Sequence, residues 1–115
     1  MKDEGSLRIL LSESMGSLDR QRELFALLNL GIIQSLPSGA LSVNDALERF
    51  YHADNCLFVR RQFRNRTADA IMGRGVQLPD LFGVLPAGDA QREFSRELEI
   101  MRTLCLKLLT PVAMA

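Results

Sequence analysis

The residues best equipped for chemistry sit close together: His52, Asp54 and Cys56, the chain's one histidine standing four positions before one of its two cysteines. On a continuous helix, residues four apart share a face, so an imidazole at 52 could take the proton of the thiol at 56 and leave a nucleophilic thiolate. Against that chemistry, Leu57 and Phe58 surround the thiol with apolar bulk, and no glycine-rich turn supplies donors for an oxyanion. The backbone is also expected to bend between His52 and Asn55. The expectation is a structural cysteine beside a surface histidine, with no catalytic residue. Read as a metal site, the same three side chains lack a fourth ligand at usable spacing, so neither a metal nor another cofactor is expected.

A second concentration of chemistry is electrostatic. Lys+Arg and Asp+Glu balance at 14 each, but residues 60 to 74 hold Arg60, Arg61, Arg64, Arg66 and Arg74 against Asp69 alone. Twelve of the 14 basic residues are arginines, whose planar fork binds carboxylates and phosphates bidentately. With Phe63, Gln62 and Asn65 interleaved, the segment suits a phosphate backbone with a base stacked on the ring. The competing expectation is that acids of this protein pair with it: Asp45, Glu48 and Asp54, or the acids of a second subunit. Zero net charge favours that competing expectation over nucleic acid.

Other groupings read as structure. Gly73-Arg74-Gly75 lacks the lysine and hydroxyl of a phosphate-cradling loop and is expected to end a helix. Glu93, Glu97 and Glu99 lie among Arg92, Arg96 and Arg102 and read as a solvated face rather than an acid/base pair.

The elements that must position these residues are helical. Ser17 can cap a helix from about 18 to 36, whose apolar positions Leu24, Phe25, Leu28, Ile32 and Leu36 follow helical spacing and whose end falls at Leu36-Pro37-Ser38-Gly39. Ser42 with Asp45 starts a short second helix, and Cys56, Val59 and Phe63 mark a third, basic one. Thr67 is expected to cap a short helix to Met72, and Pro79 to open one more turn. With Asp89 as its expected N-cap, the last helix runs from about 90 to 109 and carries Phe94, Leu98, Met101, Cys105 and Leu108 at alternating spacings of four and three. That seam serves either the core of the chain or a second copy. Leu7 to Leu11 could add a short strand, and residues 1–5 and 111–115 are expected to be flexible ends. The fold expected is thus a single mainly-α domain over residues 1–115, with five to six helices.

Composition agrees. At 115 residues and 47% hydrophobic content, the chain can build one core without disulfides or metals. Its longest apolar window, Leu24 to Ile33, is half of the ~20 residues that span a bilayer, so no membrane partner is expected. Met1 to Gly5 are acidic where a secretory leader is basic, and Cys56 and Cys105 form no C-x-x-C pair; reduced thiols and a cytoplasmic location follow as expectations.

Leu30-Gly31-Ile32-Ile33-Gln34-Ser35-Leu36, then Gly39 to Ala46, and Gly75-Val76-Gln77-Leu78-Pro79-Asp80-Leu81 with Leu85-Pro86 beyond, together resemble a family of small bacterial proteins of unknown function. The likeness covers residues 24 to 86 and consists of helix ends and core positions. It implies a helical fold and no catalytic residue; Arg60 to Arg66 departs from that family's lysine-rich, aromatic-poor character. The functional expectation is a non-enzymatic interaction or regulatory protein, a homodimer in contact through the last helix and the arginine segment. The alternative is a nucleic-acid binder using Arg60 to Arg74.

Overall fold

The computed structural model describes residues 17–109, which form five helices: α1 (Leu18–Ser38), α2 (Val43–Arg49), α3 (Ala53–Phe63), α4 (Arg66–Val84) and α5 (Ala87–Leu109). Among the described residues there is no strand. The segment Leu7 to Leu11 and the expected flexible ends lie outside them. The domain is all-α.

Local signals set most of the boundaries. The Ser17 hydroxyl accepts from the Arg20 amide at 3.2 Å and the Ser42 hydroxyl from the Asp45 amide at 3.0 Å, each satisfying one of the unpaired donors at a helix start. Helix α1 continues through Pro37 and stops at Gly39, whose left-handed φ of 83° lets its amide reach the Leu36 carbonyl and the Ala40 amide reach that of Ser35. This double return is a Schellman closure, for which glycine is the least strained residue.

Four expected boundaries are wrong: the Thr67 cap, the stop at Gly73-Arg74-Gly75, the new start at Pro79 and the Asp89 cap. Asn65, not Thr67, caps α4, its Oδ1 accepting from the Ala68 amide at 2.9 Å, and the helix then runs unbroken for 19 residues through Gly73, Gly75 and Pro79. Gly73-Arg74-Gly75 is therefore the middle of a helix. The reason is packing: Gly75 is buried beneath the Tyr51 ring, and a Cβ there would overlap three ring atoms. Asp89 likewise sits inside the first turn of α5, ion-paired with Arg92, and the first amide bond returns to the Pro86 carbonyl.

The longest helix, α5, packs against both α1 and α4, while α2 and α3 close over α4. The shortest dimension of the molecule, 23 Å, corresponds to two helix diameters. Between the layers Phe25 meets Phe50 and Phe63 with ring centroids 6.3 and 5.4 Å apart, the second pair edge to face. Phe94, Leu98, Met101 and Cys105 are buried in this core and Leu108 is half-buried against it. Of the two roles open to this seam, the core of the chain is the one these residues fill, because α1 and α4 flank α5 and cover it.

Two amides are also buried. Tyr51 donates from its hydroxyl to Asn29 Oδ1 at 2.9 Å, Asn29 Nδ2 donates to the Phe25 carbonyl at 3.0 Å, and Asn55 Nδ2 donates to the Phe50 carbonyl at 2.9 Å. Satisfied in this way, the polar groups fix how α1, α3 and the turn between α2 and α3 meet.

Candidate functional site

The thiol arrangement does not assemble. His52 is the N-cap of α3, and its Nδ1 accepts from the Asn55 amide at 3.3 Å, so that nitrogen is engaged as a helix cap. Cys56 is half-buried and its Sγ faces the Tyr51 carbonyl at 3.9 Å; no hydrogen bond joins it to His52. Burial pushes the Cys56 thiol above its ordinary pKa, Arg60 pulls it back in part, and Asp69 adds to the rise. Cys105, enclosed in the core, is pushed up to about 11 by burial. Both thiols therefore stay protonated at neutral pH, the reverse of what a nucleophile needs. Among the described residues no three His, Cys, Asp or Glu side chains converge as a metal site would require.

The arginines divide into two groups. Arg74 is held in α4 against Glu97 of α5, one guanidinium nitrogen contacting both carboxylate oxygens at 2.7 and 3.0 Å. It fastens α4 to α5. Arg60 approaches Asp69 at 4.0 Å. Arg61, Arg64 and Arg66 are exposed and have no ion-pair partner among the described residues. Asp45, Glu48 and Asp54, the acids expected to cover this cluster, form no ion pair with it; the acids that do pair with the segment are Asp69 and Glu97.

The corner that presents these side chains is tied by backbone and side-chain hydrogen bonds. Arg64 ends α3 at a left-handed φ of 48°, uncommon outside glycine, with its amide on the Arg60 carbonyl at 3.3 Å; Asn65 then caps α4. From α1, Arg22 donates to the Phe63 carbonyl at 2.7 Å, placing a cation at the negative end of α3, and Gln21 accepts from Gln62 at 3.1 Å. Phe63 itself is fully buried. It cannot stack on a base as the spacing suggested.

Arg22 and Asn65 are the structural residues of this corner that sequence reading missed. Asn65 carries a usable signal, an amide side chain three residues before Ala68 in cap register, yet Thr67 was the cap expected there. Arg22 had none, since its partner is a backbone carbonyl 41 residues away. On α5, Glu93 and Glu99 face Arg96 and Arg102 at 3.3 and 3.4 Å, as their spacing predicted.

No protein family, no curated protein and no solved structure matches the chain. The resemblance over residues 24 to 86 stands on those residues alone. No helix among the described residues is long and apolar enough to cross a membrane.

Proposed function

We propose that the chain is a non-enzymatic protein–protein interaction or regulatory domain of the cytoplasm, with its contact surface at the corner between α3 and α4. The observation that carries this reading is the set Arg61, Arg64 and Arg66: three exposed guanidinia without an acid, on a backbone fixed by a left-handed residue and a cap. The planar guanidinium presents its donors in a pre-organised fork, so less entropy is lost per hydrogen bond to a carboxylate. Thiols held protonated by burial support the non-enzymatic half of the reading.

The same unpaired arginines favour phosphate contact as a second reading, weakened by the burial of Phe63. Fluorescence anisotropy separates the two. An acidic helical peptide should bind, and Arg61→Glu with Arg64→Glu should lower its affinity at least about tenfold. Labelled single-stranded and duplex oligonucleotides should not bind at ~50 mM salt; tight binding with a steep negative salt slope would establish the nucleic-acid reading instead.

A further inference from the structure

Helix α4 carries two charges that nothing in the described chain neutralises, Arg66 in its first turn and Asp80 close to its last. They are 14 residues apart, about 21 Å along the axis, and cannot meet within one molecule. Each also stands at the wrong end of its own helix. The N-terminus of a helix is its positive pole and disfavours a cation, while the C-terminal end disfavours a carboxylate.

Both side chains lie on one stripe with Ala70, Gly73, Gln77 and Val84, which recur at helical spacing on the face opposite Ile71, Met72, Gly75 and Leu78 of the core. Val84 is 77% exposed and Val76, beside the stripe, 40%. Gly73 stands midway between the two charges, and a Cβ built on it meets nothing within 4 Å. A neighbouring helix could approach the backbone closely there.

We propose that a second copy of this chain covers this face, its α4 packed antiparallel and crossing at Gly73 on a two-fold axis. The register follows from the spacing: Arg66 lies opposite the partner's Asp80, Asp80 opposite the partner's Arg66, and Ala70 opposite the partner's Val76. Each charge then sits at the favourable end of the other helix, and the two dipoles oppose one another. A shallow cavity of about 480 Å³ beside Asp80, walled by Gln77, Leu81 and Val84, receives the aliphatic stem of the partner's Arg66. The proposal rests on the reading of the chain as an interaction domain and supplies one of its partners. The interface is isologous, so one pair of complementary ends is used twice.

A contact between two helix faces is at the small end of specific interfaces, so self-association is expected at about 10–500 µM. Sedimentation equilibrium from about 10 µM to 1 mM measures it over that span. Arg66→Asp or Asp80→Arg alone should weaken association at least about tenfold, by setting like charges opposite one another, and the two together should restore it. Either reversal places a charge its own helix dipole favours, so far-UV circular dichroism should show the fold retained. Gly73→Phe, facing open space in the single chain, should also abolish association. A mass of 12.9 kDa at every concentration overturns the proposal, as does a dimer indifferent to the single reversals or a double variant that stays monomeric. A monomer that still binds the acidic peptide through Arg61 and Arg64 would remove this inference and leave the interaction reading standing.

Discussion

Gly73 and Gly75 lie two residues apart in the same helix and point to opposite sides of it, one to open space and one into the Tyr51 ring. The inward glycine makes room for a side chain of the same chain. The outward one serves nothing in the single molecule, yet leaves the helix backbone open at the centre of a face whose two ends are oppositely charged. Glycine in a helix interior costs roughly 1 kcal/mol against alanine, so each position carries the same local penalty for a different return. The comparison separates what holds this fold together from what it offers to a partner.

Gly75→Ala is the most damaging way to test the inward half. A Cβ at 75 collides with a fully buried tyrosine ring whose hydroxyl is tied to Asn29 at 2.9 Å. Overpacking of this kind costs typically 1–3 kcal/mol, and here the upper figure applies: about 3 kcal/mol net of the gain in helix propensity, or a Tm lower by roughly 12 °C or more. Thermal unfolding followed by circular dichroism reads it directly. A variant as stable as the parent would show that Tyr51 does not sit where the fold requires it.

Tyr51→Phe probes the same contact from the other side with a smaller effect. The ring and its packing on Gly75 remain, while Asn29 Oδ1, buried at 0% exposure, loses its donor. An orphaned buried acceptor costs about 1–3 kcal/mol, measurable as a shift of the urea midpoint at unchanged slope. Tyr51→Phe combined with Asn29→Leu should recover part of that loss, since replacing both partners removes the unsatisfied group along with the bond.

Much of this was legible in the sequence, and the parts that were not share a cause. Helix existence, the Ser17 and Ser42 caps, the Gly39 stop and the Glu–Arg pairs of α5 all depend on neighbours within one turn, and each is where its local signal put it. Gly73-Arg74-Gly75 and Pro79 carry equally local signals, and these mislead: tertiary packing of α2, α3 and α5 on α4 outweighs the propensity of two glycines and a proline. The spacing of Phe94, Leu98, Met101, Cys105 and Leu108 correctly announced a buried seam, but periodicity is silent on whether the covering helix belongs to the same chain. At the candidate site the arginines were visible and their pairing was not. Whether a guanidinium finds Asp69, Glu97 or solvent depends on how α3, α4 and α5 meet, and no spacing rule encodes that.

Gly73→Ala gives the smallest effect and the sharpest reading of the outward half, because its sign depends on concentration. In a single chain the added methyl meets no atom within 4 Å and relieves the entropic cost of glycine, so dilute protein should be more stable by about 0.5–1 kcal/mol. If two α4 helices cross at this residue, the methyl stands between their backbones and holds them apart. Raising the concentration should then erase the advantage, since the parent gains stability by associating and the variant gains less. Denaturation curves at a few concentrations on either side of the association constant distinguish the cases: a gain that persists unchanged across them means that this face meets solvent alone, and one that shrinks identifies Gly73 as the point of closest approach.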